Sequence, residues 1–298
     1  MPEEGIESIG HSNVLSLEQI LRTTQLASRL GIRKVRFTGG EPLVRKNITW
    51  LVANVAAIEQ IDDISLTTNG VVFAGMAKDL QQAGLNRVNF SLDSLVPDKF
   101  TYITRWGKIS DVLEAISAAL TLGMPVKVNT VIIRGFNDDE ILDFVQLASD
   151  LPIQVRFIEF MPIGDLPFFQ EKRLMSVTEM QEAIASRFTL RPIPSPYGGG
   201  PANCCQIDGG QGTVGFISAM SSHFCFDCNR IRLTADGKLR SCLFDKRELD
   251  LKQALDTGAS DEQVLELLRE AILAKPDQHH MDEGWGADNA RKMVQIGG

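Results

Sequence analysis

The stretch 34-KVRFTGG-40 is predicted to form a short β-strand that ends at two glycines, and four similar strands follow it. The later strands are predicted in ISLTTNG (64–70), RVNFSLDS (87–94), VKVNTVII (126–133) and VRFIEFMP (155–162). Apolar residues at helical spacing alternate with these strands and predict helices over 16–31, 48–60, 76–84, 109–123 and 139–150. This alternation indicates a parallel sheet with right-handed crossovers, either closed as a barrel or open and doubly wound.

The predicted strands carry polar side chains on one face, which favours the barrel. Buried parallel strands are usually continuous apolar runs, whereas here polar residues recur at every second position. A partly open barrel with a polar ligand in its lumen accounts for this pattern, and exposure at a sheet edge could account for one such strand but hardly for all of them. The polar positions are Lys34, Arg36 and Thr38, then Asn89, Ser91 and Asp93, then Lys127 and Asn129.

The chain changes character after Pro162. A segment rich in proline and glycine, RPIPSPYGGGPANCC (191–205), precedes short strands and two more helical patterns. We therefore predict two domains, a partial barrel over 1–162 and a smaller α+β domain over 163–298.

Composition excludes several classes of protein. The net charge of −8 over 298 residues argues against general binding of nucleic acid or anionic membranes. No apolar run approaches the ~20 residues that span a bilayer, and the acidic N-terminus resembles neither a signal peptide nor a transit peptide. Five cysteines, an odd and low number, suit metal ligation in a reducing cytoplasm.

Three cysteines in 224-FCFDCNRIRLTADGKLRSC-242 have the spacing of metal ligands. Cys225 and Cys228 form a C-x-x-C pair, and Cys242 is the third. Structural zinc and cubane iron–sulfur clusters both prefer four protein ligands, so a cluster held by three would leave one iron open to a small molecule. Zinc binding, or a reduced pair with an unrelated third cysteine, remains an alternative. The adjacent Cys204 and Cys205 are treated as incidental.

Two arginines follow the C-x-x-C pair. Arg230 and Arg232 are two residues apart, so in a strand both guanidinium groups would project on the same side, next to the predicted metal. Arginine suits phosphate groups and purine edges. The pattern therefore predicts a nucleotide beside the cysteines.

Taken together, these motifs resemble the radical S-adenosylmethionine (SAM) GTP 3′,8-cyclases of molybdenum cofactor biosynthesis. The resemblance rests on GGEP, TTNG, SLDS, VKVNTVIIRGFND, RFIEFMPIG, CxxCNRIRLTADGKLRSCLF and the terminal Gly-Gly, and it runs from Met1 to Gly298. It implies an incomplete triose-phosphate-isomerase-type (TIM-type) barrel followed by a C-terminal domain that binds a [4Fe–4S] cluster. The implied reaction is the SAM-dependent radical cyclisation of GTP to 3′,8-cyclo-7,8-dihydro-GTP.

The resemblance also implies roles for individual residues. Cys225, Cys228 and Cys242 would ligate the C-terminal cluster, whose open iron meets the guanine of GTP. Gly40, Ser91 and Met161 would contact SAM. Arg156, Gly297 and Gly298 would act in catalysis, the last two as a tail that enters the barrel. The residues expected to contact GTP are Lys34, Arg36, Thr67, Lys127, Arg230, Ile231 and Arg232.

One motif of the family is missing from this sequence. The family carries C-x-x-x-C-x-x-C directly before the MPEEG with which the chain begins, and no cysteine precedes Cys204. The ligands of the N-terminal, SAM-binding [4Fe–4S] cluster are thus absent. The sequence predicts an N-terminally truncated cyclase that lacks the first barrel strand and is inactive alone.

Two other functions remain open at this point. The chain could be another radical SAM enzyme with an auxiliary cluster, such as one that modifies peptides, or a non-catalytic protein that binds an iron–sulfur cluster or GTP. For the cyclase, the expected partners are GTP, SAM and the downstream cyclic pyranopterin monophosphate synthase accessory protein. A homodimer is a candidate assembly, and neither nucleic acid nor a membrane is expected.

Overall fold

The computed structural model of the chain describes residues 10, 13–161, 171–196, 200–222, 225, 228–277 and 291–297. Its main sheet has eight strands. They are β1 (Lys34–Phe37), β2 (Asp63–Thr68), β3 (Arg87–Ser91), β4 (Val126–Ile132), β5 (Ile153–Glu159), β6 (Leu190–Ile193), β7 (Asn203–Ile207) and β8 (Thr213–Ile217).

The sheet order is β1-β2-β3-β4-β5-β8-β7-β6. Strands β1 to β5 and β8 run parallel, and β7 and β6 continue the sheet as antiparallel strands. The predicted α/β fold, a partial TIM-type barrel followed by a smaller unit, is confirmed.

Seven helices accompany the strands of this sheet. They are α1 (Leu17–Arg29), α2 (Ile48–Ala56), α3 (Phe73–Gln82), α4 (Pro97–Thr104), α5 (Ile109–Thr121), α6 (Ile141–Asp150) and α7 (Val177–Ala185). Helices α2, α3, α5 and α6 contribute buried apolar residues to the main core, which also includes one face of the strands.

The two faces of β4 show why one side of the sheet is polar. Val126 and Val128 are fully buried in the main core. Successive side chains of a strand point to opposite faces, so Lys127 and Asn129 lie on the face away from that core. The predicted polar face is therefore a direct consequence of alternation along the strands.

A smaller unit follows the sheet. It consists of β9 (Arg232–Leu233), β10 (Lys238–Arg240), β11 (Leu249–Asp250), α8 (Leu251–Asp256), α9 (Asp261–Leu273) and, after the undescribed residues 278–290, α10 (Met293–Ile296). Leu251, Leu265 and Leu268 pack with Leu26 of α1 in a second hydrophobic core. The Arg22 guanidinium of α1 also lies 2.7 Å from the Asp261 carboxylate at the start of α9.

These contacts bear on the predicted domains 1–162 and 163–298. Their boundary lies in 162–170, outside the described residues. The main sheet continues beyond it to Ile217, and α1 from the first domain packs on helices of the second. The domain boundary stays a prediction. No helix in the described ranges is both long and apolar enough to cross a membrane.

Candidate functional site

The parallel register aligns the predicted polar residues in rows across the lumen face. One row joins Thr67, Asn89, Lys127 and Gln154 on strands β2 to β5. A second row joins Ser91, Asn129 and Arg156, and a third joins Arg36, Ser65 and Arg87. Because neighbouring strands are about 4.8 Å apart, residues predicted separately from the sequence lie side by side on one surface.

The centre of this surface is strongly cationic. Burial, followed by the charges of Arg156 and Arg87, lowers the pKa of Lys127 to about 6. Burial and the charge of Arg230 lower the pKa of Arg36 to about 9. In Arg156, burial lowers the pKa to about 10. Burial and mutual repulsion both disfavour the charged form of these side chains. Their grouping therefore indicates a site for an anionic ligand.

An ion pair stands beside these cations. Arg87 donates to both oxygens of the Asp63 carboxylate, at 2.9 and 2.7 Å. Lys34, which is exposed, lies opposite Asp63 in the register of β1 and β2. The Asp63 charge opposes the lowering of the pKa of Arg36 and of Lys127, but both pKa values stay lowered, so burial and the neighbouring cations outweigh this carboxylate.

Several buried polar atoms on this face have no hydrogen-bond partner among the described residues. They are Arg87 Nη1, Asn89 Oδ1 and Asn129 Oδ1. Leaving such a group unsatisfied costs about 1–3 kcal/mol. Both donors and acceptors remain available, which fits a ligand that combines phosphate groups with polar ring edges.

The residues predicted to contact SAM lie at the carboxyl ends of the strands. Ser91 is the last residue of β3, Gly40 follows β1, and Met161 follows β5. Glu41 fixes the loop of the GGEP motif, because its carboxylate accepts hydrogen bonds from Asn69 N at 2.8 Å and from Thr68 Oγ1 at 2.9 Å. The GGEP turn is thereby tied to the end of β2, at the edge where barrel proteins place their sites.

The three cysteines lie on two segments of the smaller unit. The backbone N–H of Cys228 donates to Cys225 O at 3.0 Å and closes the C-x-x-C turn. Lys275 Nζ lies 3.5 Å from Cys228 Sγ and 3.0 Å from Ser241 O, next to Cys242, so it connects the two segments. All three cysteines are partly accessible, in contrast to Cys204 and Cys205, which are buried in β7.

The donor chemistry of these cysteines fits an iron–sulfur cluster. Cysteine thiolates are the usual ligands of [4Fe–4S] clusters, and Cys225, Cys228 and Cys242 are all partly accessible. Among the described residues, no three His, Cys, Asp or Glu side chains are grouped to hold one metal ion.

The arginines join the cysteine loops to the lumen. The Arg230 charge acts on Arg36 and Arg156 in the barrel, and burial with that charge lowers the pKa of Arg232 to about 10. Cys242 and Cys228 counteract this lowering, so Arg232 lies near both thiols. Ile231 packs instead against the second hydrophobic core. The cysteine site and the cationic surface thus form one continuous region.

Glu159 joins the end of β5 to the segment before the cysteines. Its buried carboxylate accepts hydrogen bonds from Met220 N at 2.7 Å, from Ser221 N at 2.8 Å and from Val177 N at 2.8 Å. Ser221 Oγ donates to the same carboxylate. Glu159 therefore fixes three parts of the chain around the carboxyl end of the sheet.

The C-terminal tail returns to the first strand. A Cβ atom on Gly297 would lie 2.7 Å from Thr38 Cγ2, so this glycine sits directly against the end of β1. Arg291 anchors the tail through Asp236, at 2.8 Å, and through Glu248, at 2.6 Å. The predicted tail residue Gly298 lies outside the described residues.

Sequence reasoning missed several residues of this region. Arg87 could have been found, because it precedes Asn89 and Ser91 at the same period of two. No local sequence pattern indicates Lys275 or Glu159, because each acts through contacts with residues at least 18 positions away. The structure brings together Arg36, Lys127, Arg156 and Arg230, whose charges act on one another.

Comparison with known protein families gives two matches. Residues 3–148 match the radical SAM superfamily, and residues 153–281 match the domain described as Molybdenum Cofactor Synthesis C. A solved radical SAM methyltransferase from Sphaerobacter thermophilus is 19% identical and covers 57% of this chain and 54% of its own, with a TM-score of 0.45.

Curated relatives match over the whole chain. A GTP 3′,8-cyclase of Syntrophomonas wolfei is 57% identical over 100% of this chain and 92% of its own length. Proteins of the same name from Desulforamulus reducens and Pelotomaculum thermopropionicum are 51% and 49% identical with the same coverage.

Proposed function

The chain belongs to the GTP 3′,8-cyclase family of radical SAM proteins, and we propose that its lumen binds GTP for the SAM-dependent cyclisation to 3′,8-cyclo-7,8-dihydro-GTP. The observation that carries this proposal is the continuity between the cationic lumen and the three-cysteine loops through Arg230. A nucleoside triphosphate has the matching chemistry, with an anionic end for the lumen and a purine for the cysteine site.

In this proposal the lumen cations hold the triphosphate. In the protein alone, the charges of Arg36, Arg156 and Arg230 repel one another. Phosphate oxygens would replace that repulsion with charge-assisted hydrogen bonds, each worth roughly 1.5–3 kcal/mol. Lys34 and Thr67, at the edges of the same surface, would complete the contacts.

The family implies an iron–sulfur cluster and SAM, and the proposal assigns residues to each. Cys225, Cys228 and Cys242 would hold a [4Fe–4S] cluster, and Arg230 and Arg232 would lie between it and GTP. Ile231 would contact GTP through its backbone, since its side chain packs against the second hydrophobic core. When bound, such a cluster supplies an open iron at which a purine nitrogen or oxygen can bind. Gly40, Ser91 and Met161 would hold SAM at the carboxyl edge. The radical chemistry belongs to SAM and its own cluster, and these residues position the reactants.

Arg156 and the tail would orient the substrate. Arg156 is only 3% exposed, and its Nε donates a hydrogen bond to Gln154 Oε1 at 2.9 Å. This contact holds the guanidinium beside Gln154, which lies on the same face of β5. Gly297 and Gly298 would bring backbone without a side chain close to the bound nucleotide. In the same proposal the protein acts in the cytoplasm, and the product passes to the cyclic pyranopterin monophosphate synthase accessory protein.

We expect GTP binding to be coupled to proton uptake by Lys127. The pKa of Lys127 is lowered to about 6 in the free protein, so its amine is mostly neutral at about pH 8. Bound phosphates favour the charged ammonium and raise that pKa, so up to about one proton is taken up on binding. Calorimetry in two buffers with different ionisation enthalpies measures this uptake. Equal uptake by Lys127→Met would contradict the assignment.

The assignment of the cysteines is tested by iron content after anaerobic reconstitution. We expect the 298-residue chain to bind about four irons and to bind GTP more tightly with the cluster than without it. Cys228→Ser should lose most of the iron and that gain in affinity. Cys204→Ser is the matched control, since its thiol is buried in β7, and it should keep both. Iron binding without any effect on GTP would instead favour a radical SAM protein with a different substrate.

A further inference from the structure

Lys275 follows helix α9 and reaches both cysteine-bearing segments. Its Nζ lies 3.0 Å from Arg230 O, 3.0 Å from Ser241 O and 3.5 Å from Cys228 Sγ. An ammonium group has three N–H donors and no acceptor. The three acceptors therefore use its full hydrogen-bonding capacity.

The three acceptors belong to different parts of the cysteine- and arginine-bearing segments. Arg230 is the first arginine after the C-x-x-C pair, Ser241 directly precedes Cys242, and Cys228 belongs to the pair itself. Lys275 is partly buried, and its contacts with the loops are hydrogen bonds of ordinary length. One side chain thus fixes the relative position of both segments and places a positive charge next to a thiol sulfur.

We propose that Lys275 is a positioning residue for the three-cysteine site and that its charge raises the reduction potential of the cluster held there. The inference rests on the proposed cluster at Cys225, Cys228 and Cys242. Reduction adds an electron to the cluster, and a nearby cation stabilises the more negative, reduced form. Hydrogen bonds to ligand sulfurs shift the potential of such clusters in the same direction.

The test compares the midpoint potential of the reconstituted cluster in the wild type and in Lys275→Met, by a redox titration followed by electron paramagnetic resonance (EPR). Methionine keeps most of the side-chain length and removes both the charge and the donors. We expect an approximately tenfold shift of the reduction equilibrium toward the oxidised cluster, which is about 59 mV for one electron. Lys275→Gln, which keeps an N–H donor without the charge, should shift it in the same direction.

Lys246→Met is the control, because it removes an exposed lysine charge from the segment just after Cys242. It should leave the potential unchanged. If Lys275→Met does not retain iron, the midpoint potential of Lys275→Gln is compared with that of the wild type instead. An unchanged potential in iron-loaded Lys275 variants, or an equal shift in Lys246→Met, would overturn the inference. Failure of the wild type to bind iron would instead overturn the proposed cluster site.

Discussion

Glu159→Gln is expected to lower the free energy of unfolding by about 1–3 kcal/mol, the usual cost of leaving buried hydrogen-bonding groups without a partner. The wild-type carboxylate accepts hydrogen bonds from Val177 N, Met220 N, Ser221 N and Ser221 Oγ. Glutamine has the same shape but only one acceptor oxygen. Its amide N–H₂ would face donors, so some of these groups would lose their partner inside the protein.

The same variant should bind less iron. Met220 and Ser221 precede Cys225 by only a few residues, so loosening their anchor releases the segment that carries the C-x-x-C turn. Denaturant unfolding of the wild type and the variant measures the stability, and iron analysis after reconstitution measures the site.

Glu182→Gln is the matched control for this change. Glu182 lies on α7 with an exposed side chain, and substitutions at such positions usually change stability by less than about 0.5 kcal/mol. If Glu159→Gln unfolds like Glu182→Gln and retains all its iron, Glu159 does not anchor the cysteine segment.

Gly297→Ala is expected to reduce GTP cyclisation roughly 100-fold, the size of effect that a displacement of about 1 Å can cause in an active site. Gly297 has φ +85°, and an added Cβ would approach Thr38 Cγ2 to 2.7 Å. Thr38 lies between β1 and the glycines of the GGEP turn, so the tail would have to move away from that edge. The assay uses a form of the protein that carries the family's C-x-x-x-C-x-x-C segment.

Two readouts separate this effect from a loss of folding. Iron content and the formation of 5′-deoxyadenosine from SAM should persist in Gly297→Ala, because neither depends on the position of the tail. Gly258→Ala controls for the backbone, since Gly258 has φ +79° and no atom within 4 Å of an added Cβ. Normal cyclisation by Gly297→Ala would show that the contact with Thr38 is not needed.

The lumen could be predicted from the sequence because alternation along a strand is a local property. Once β4 is recognised, Val128 and Lys127 must lie on opposite faces. The parallel register then places Lys127 beside Asn89. The same reasoning places Arg87 on the polar face, because it lies two residues before Asn89 in β3.

Contacts between distant segments could not be predicted in this way. Lys275 reaches Cys228 across 47 residues, and Glu159 reaches Ser221 across 62. Periodicity gives no information on such pairs. Continuation of the barrel sheet through β8, β7 and β6 was also not predicted, because a proline- and glycine-rich segment lies within it.

In the proposed site, the three cysteines hold a cluster whose open iron contacts GTP. The most direct measurement is the EPR spectrum of the reduced cluster in the reconstituted protein, recorded without GTP, with GTP, and with GTP labelled with ¹⁵N in the guanine. We expect GTP to change the spectrum and the nitrogen hyperfine coupling to depend on the isotope. If bound GTP leaves the spectrum unchanged, or the coupling does not respond to ¹⁵N, the open iron does not contact the guanine.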